Sequence, residues 1–411
     1  MNRPVEPQVY LSIGILEKGQ HADTTSCSTE TSGGNGTLRR KTPYETVYSL
    51  PYCRLQDKLR ERGLDAALIY DRENLIYFAG ISDLEGGVLC VPSNGTAELF
   101  CLWMEAEHMR RESGLKVTGY LFPADTQSTM AAKWLHKLGL ERPRVGFTRY
   151  FISLKDYQCL REAVPQMKVE DIAAVCYQLR SIKCPEEIWR IRAASKALKA
   201  GMDAALSVVR AGISERDVLV EAEYAMGKAG SQGSPFRMQV LTHSRQMQKH
   251  PYAGAALLED NAPVVIHLGA SVEGYTAKMC RTVFLGTPPE ACVEIYRVLR
   301  RAQETAVARL RPGVTCGALY QAAADCVEKA GYGEHWVMEH IGYGVGIRQS
   351  EFYPIIAKGS AVPIEKNMVV DLLLPSIYVP NIGGPRLTDT ILVTAHGAEY
   401  LTDYSREIWF R

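Results

Sequence analysis

Nine histidines, eleven cysteines and twenty-one tyrosines are the chain's stock of proton-transfer, nucleophilic and hydrogen-bonding side chains. An imidazole near its ordinary pKa takes and returns a proton at neutral pH, so the histidines are the first candidates for acid–base work. The cysteines are scattered and form no C-x-x-C pair. That usage fits buried free thiols in a reducing compartment, not a disulfide framework. Cys280 is a nucleophile only if its surroundings lower its pKa. The run Gly342-Tyr-Gly-Val-Gly346 has the glycines of a tight β segment. It lacks the strand-then-helix setting of a phosphate loop.

Several elements are available to position these groups. Residues 20–42 are polar, rich in Gly, Ser and Thr, and aperiodic, so they are expected to be mobile. Tyr52–Gly63 reads as a helix stopped by Gly63, and Asp65–Tyr70 as a strand. Gly87–Val91 and Ala97–Leu102 flank Pro92-Ser-Asn-Gly95, which predicts a hairpin. Tyr177–Val209 reads as mostly helical, with Pro185, Glu186 and Glu187 as an N-terminal signal. Beyond it, strands are expected at Pro263–Leu268, Thr282–Leu285, Met368–Leu374 and Asp389–Thr394.

The chain's 411 residues suffice for two domains with real cores. Lys plus Arg total 47 against 46 for Asp plus Glu, so no overall charge steers the chain to nucleic acid or an anionic membrane. No apolar run has the length of a spanning helix, and no secretory signal is evident, so the expected location is the cytoplasm.

Landmarks spread along the chain resemble the creatinase, prolidase and aminopeptidase P family. Leu64–Leu68 and Asn74–Gly80 resemble its N-terminal domain, and Leu179–Glu187 the entry to its C-terminal domain. His267-Leu-Gly269, Gly274-Tyr275, Arg281-Thr282, Gly342–Gly346, Arg386–Asp389 and Leu392–Thr394 resemble segments of its active domain, in family order. The resemblance implies an α/β (α+β) fold. Its parts are an N-terminal extension at 1–44, a creatinase-type domain at 45–176 and a pita-bread domain at 177–411. It also implies a homodimer, with no nucleic-acid or membrane partner.

The family's peptidases hold two divalent metals with two Asp, one His and two Glu. By resemblance, the first Asp falls on His267 and the second, eleven residues on, falls on Lys278. The metal His falls on Tyr343, three residues before Gly346. One Glu falls on Leu374 beside Pro375, or on Leu373 in a register one residue away, and the last falls on Thr388. A protonated Lys and a Leu cannot ligate, so the expectation is no metal and no other cofactor. The neighbouring Asp371 and Asp389 are expected to be solvated or hydrogen-bonded structural acids.

The same resemblance implies pocket roles. His250 lies seventeen residues before His267, in the register of the family's substrate-contacting His. It is assigned as general base and acid, with His267 beside it. Lys278 and Tyr343 become polarising donors. Lys278 could instead lose its proton and act as a base, or simply pair with a nearby acid. Arg386 is a carboxylate clamp or a structural ion-pair member. His243, Glu339 and His340 are further substrate-binding candidates. The leading expectation is therefore a metal-independent enzyme acting on a small anionic or neutral amino-acid-derived metabolite. Its chemistry would be His-mediated proton transfer: hydrolysis, elimination, isomerisation or cyclisation. The alternatives are a non-catalytic binding or scaffold protein and a metallopeptidase with an atypical site.

Overall fold

A computed structural model describes residues 51–411 apart from 149–151, 249–250, 337 and 373–376. The segment expected to be mobile, and His250, Leu373 and Leu374, lie outside the described residues.

The first half is built on one six-stranded mixed sheet. Its strands are β1 (Ala66–Ile69), β2 (Gly87–Pro92), β3 (Glu98–Leu102), β4 (Lys116–Tyr120), β5 (Arg144–Phe147) and β6 (Lys168–Asp171), in the order β4-β3-β2-β1-β5-β6. β1 is apolar throughout because both its faces are covered: Ala67 and Ile69 pack into one core, Ala66 and Leu68 into another. Helices α1 (Pro51–Glu61), α2 (Arg72–Ala79), α3 (Trp103–Ser113), α4 (Gln127–Lys137) and α5 (Leu154–Ala163) supply those cores. Gly63 follows α1 with φ of +62°, and β2 and β3 form the expected antiparallel hairpin. Asn74–Ala79 lies within α2, which is capped at its N-terminus by the Asp71 side chain.

The helix expected over Tyr177–Val209 is two helices, α6 (Ala173–Ser181) and α7 (Pro185–Val208). The break has a local cause. Pro185 offers no N–H to continue α6, and the Glu187 carboxylate accepts the Cys184 N–H at 2.8 Å to start α7. Helix α8 (Glu215–Lys228) packs on α7.

Two further sheets follow. One has β7 (Gln239–Leu241), β8 (Pro263–Val272), β9 (Tyr275–Phe284) and the edge strand β15 (Trp409–Phe410). The long strands β8 and β9 extend the two shorter expected ones and turn at Glu273 and Gly274, both at positive φ. The other sheet orders as β11 (Glu351–Ala357), β10 (His340–Gly344), β12 (Val369–Leu372), β13 (Asp389–Val393) and β14 (Ala398–Tyr400). Helices α9 (Glu290–Arg309) and α10 (Cys316–Lys329) share a core with this second sheet. Among the described residues, no helix is long and apolar enough to cross a membrane.

The first half docks on the second through buried polar contacts. Arg180 pairs with Glu351 and donates to Asn74 Oδ1 at 2.7 Å, while Arg348 reaches Glu73 at 3.1 Å.

Candidate active site

Antiparallel register decides which side chains share one face of the sheet. Gln239 lies opposite His267, His267 opposite Cys280, and Gly269 opposite Lys278. With a two-residue period, these positions all project from one side of the β7–β8–β9 sheet. The segment leading into β13 is stitched to that sheet through an isolated bridge. Cys280 and Thr388 exchange backbone hydrogen bonds at 3.0 and 3.2 Å. The Thr390 hydroxyl accepts the Lys278 N–H at 3.1 Å and donates to the Lys278 carbonyl at 2.9 Å.

Lys278 is fully buried, and its Nζ forms an ion pair with Asp371, which is equally buried. The same nitrogen donates to Gln349 Oε1 at 3.1 Å and Ser350 Oγ at 3.0 Å. The nitrogen thus faces three oxygens, two through hydrogen bonds and one through the ion pair. The Ser350 hydroxyl sends its own hydrogen to Gln349 at 2.8 Å, so toward Lys278 it can only accept. Burial pushes the Lys278 pKa down and that of Asp371 up, and in each case the partner's charge opposes the change. Asp371 also accepts the Tyr343 backbone N–H. Lys278 is therefore neither a free base nor an unpaired charge. Asp371 is a buried acid whose Oδ1 accepts the Tyr343 N–H and whose Oδ2 faces Lys278. Asp389 is likewise buried, its Oδ1 holding Arg281 at 2.7 Å and accepting from Thr402 at 2.9 Å while its Oδ2 has no hydrogen-bond partner among the described residues.

Tyr343 and His340 form a second pair, with the phenol oxygen and His340 Nε2 2.7 Å apart and the rings edge to face. Burial lowers the His340 pKa and raises that of Tyr343, and the imidazole tautomer sets which of the two donates. Glu339, one residue before β10, is solvent-exposed and 4.0 Å from Lys358, so it does not join them. His267 is half-buried against Phe236, whose ring centre lies 4.8 Å from its own. Phe236 reaches there because Gly269 leaves room: a Cβ at that glycine would sit 2.3 Å from the Phe236 ring.

Arg386 anchors the other end of the face. Its guanidinium is buried and donates to Gln239 Oε1 at 3.0 Å, to the Gln246 carbonyl at 2.8 Å and to the Tyr378 hydroxyl. All three partners are neutral. His243 sits nearby, with Nε2 2.8 Å from the Ile382 carbonyl and Nδ1 3.7 Å from Glu259. Cys280 is no nucleophile, since burial pushes its thiol up to about 12 despite the opposing charges of Arg386 and Arg281.

Sequence reasoning missed Gln349, Ser350, Gln239, Gln246 and Phe236. Gln349 and Ser350 lie three and four residues after the Gly342–Gly346 run, which is the local hint. Their distance of 71 and 72 residues from Lys278 hides the contact.

Two family models match the chain: the Creatinase/Prolidase N-terminal domain over residues 53–182 and Metallopeptidase family M24 over residues 190–395. An Xaa-Pro dipeptidase of Pyrococcus horikoshii is 31% identical over 349 residues, covering 85% of this chain and 95% of that protein. An Xaa-Pro dipeptidase of Pyrococcus furiosus is 30% identical over 348 residues, covering 85% and 96%. Among solved structures, a prolidase from Pyrococcus horikoshii superposes with a TM-score of 0.79 at 27% identity, covering 88% of this chain and all of that one. An Xaa-Pro dipeptidase from Bacillus anthracis superposes at 0.81 and 27%, covering 88% and 99%. The chain belongs to the creatinase, prolidase and aminopeptidase P family, with a creatinase-type N-terminal domain and a pita-bread C-terminal domain.

These relatives correct the leading expectation from sequence. Nothing among them supports a metal-independent enzyme acting on a small metabolite; the matches are to Xaa-Pro dipeptidases within a metallopeptidase family. That reading took single residue types at face value, whereas similarity over nearly the whole chain carries far more weight. The family's metals nevertheless do not fit the residues present. Lys278, which the resemblance aligns with a metal-ligating Asp, is an ammonium paired with Asp371 and hydrogen-bonded to Gln349 and Ser350. No group of three or more His, Cys, Asp or Glu among the described residues is placed to hold a metal ion.

Proposed function

We propose that this chain is a peptidase-family protein that takes short peptides of the Xaa-Pro kind in its C-terminal cleft, working with an atypical centre. The domain limits taken for it are 45–176 and 177–411. The observation that carries the reading is the similarity to Xaa-Pro dipeptidases over 85% of the chain and nearly their full length. The chemistry of the cleft is compatible with such a ligand. A buried guanidinium with three neutral partners keeps its positive charge available to a peptide carboxylate. The Tyr343–His340 pair offers a phenol and an imidazole that share one hydrogen bond beside Asp371. No step is assigned to a metal.

A panel of Xaa-Pro dipeptides tests this, read by calorimetric binding and by released proline, with and without added Mn²⁺. The expected result is saturable binding of at least one Xaa-Pro dipeptide. Arg386→Lys, which keeps charge but loses the planar fork, should weaken it about tenfold or more, the scale of one charged hydrogen bond. Failure of every dipeptide both to bind and to be cleaved overturns the reading.

A further inference from the structure

We propose that the Lys278 ammonium is the resident cation of the cleft, seated in an oxygen cluster that it closes to divalent metal ions. The inference does not depend on the peptide assignment, because its tests read metal uptake and stability instead of turnover.

Three observations carry it. First, the ammonium is desolvated: Lys278 is among the largest fully buried side chains, and Asp371 beside it is equally buried. A charge so placed persists only when matched, and here one ammonium faces one carboxylate. Second, the nitrogen is ligated as a cation is. Asp371, Gln349 Oε1 and Ser350 Oγ are all oxygens, and Ser350 has its hydrogen committed to Gln349. Third, the seat is built. The Thr390 hydroxyl holds both backbone groups of Lys278, and the Tyr343 N–H fixes the other Asp371 oxygen. A divalent ion approaching Asp371 would meet a positive charge already in contact with the carboxylate, and that repulsion is strong in a dry interior. The ligand class of this seat is therefore a primary ammonium supplied by the chain itself.

The site can be emptied and refilled. Lys278→Ala leaves Asp371 buried beside a hollow, and a small alkylammonium should enter it. Lys278→Asp puts a second carboxylate against Asp371 with the Gln349 and Ser350 oxygens beside them, a ligand set suited to a hard divalent ion.

The experiment incubates wild-type protein with Mn²⁺, removes unbound metal by gel filtration, and measures metal per chain and the melting temperature. Wild type is expected to retain less than one equivalent, with an unchanged melting temperature. Lys278→Asp should retain Mn²⁺ and melt higher with it than without. Lys278→Ala should melt below wild type and recover with ethylammonium, which should leave wild type unmoved. Stoichiometric Mn²⁺ retained by wild type with a raised melting temperature overturns the proposal, and so does a Lys278→Met variant as stable as wild type. The wild-type measurement decides alone if the variants fail to fold.

Discussion

Asp371 is buried with an ammonium and a backbone N–H as its charge-matching partners, and no solvent is at hand to take over from either. Removing one member of such a pair strands the other, and that penalty exceeds the strength of the contact itself. Asp371→Asn should therefore destabilise the fold by about 3–5 kcal/mol in urea unfolding. The double variant Asp371→Asn with Lys278→Met should recover part of that loss, because no charge is then left unmatched. A loss under about 1 kcal/mol for the single variant would show the pair to be open to water.

At the scale of elements, the site depends on how closely β10 approaches β12. A Cβ on Gly342 would lie 2.0 Å from the Asp371 carbonyl oxygen and 3.4 Å from its carboxylate. The obstacle is backbone and cannot rotate aside, so Gly342→Ala must push the two strands apart. The expected cost is about 1–3 kcal/mol, read from the shift of the denaturant midpoint. The same movement should lengthen the Tyr343 N–H bond to Asp371 and speed that amide's hydrogen exchange. Unchanged exchange at Tyr343 would mean the strands absorb the methyl elsewhere.

At the scale of the molecule, the two halves meet through charged groups with little water around them. Lys183, at the break between α6 and α7, is 1% exposed and donates to the Ser181 carbonyl at 3.0 Å. Burial lowers its pKa from 10.5 to about 8, with Glu351 and Glu187 pulling it back and Arg180 pushing further down. The sign follows from proton counting. Below pH 8 the group is protonated in both states, and the folded protein bears the full cost of burying the charge. Between pH 8 and 10.5 the folded state releases its proton first, so this group's contribution becomes more favourable as pH rises. Lys183→Met removes the titration. The stability of wild type minus that of the variant should climb across that window by on the order of 3 kcal/mol. A flat difference would place the Lys183 pKa near its ordinary value.

The linear sequence determined what depends on local pattern and on landmark order. The α1 stop at Gly63, the β2–β3 hairpin, the start of α7 and the two-domain family fold were all legible, because capping, turn chemistry and period-two alternation act over a few residues. The resemblance also set the expectation of altered ligand types at His267, Lys278, Tyr343 and Thr388. Only the tertiary structure decided what those side chains meet. Asp371 reads as a plain structural acid, and Gln349 and Ser350 as loop residues, until the packing of the two C-terminal sheets brings them to the Lys278 nitrogen. Likewise, Glu339 and His340 are neighbours in sequence but diverge in space, the first into solvent and the second against Tyr343. Whether a charge in this cleft acts freely or is already matched depends on contacts across many tens of residues, and no spacing along the chain encodes that.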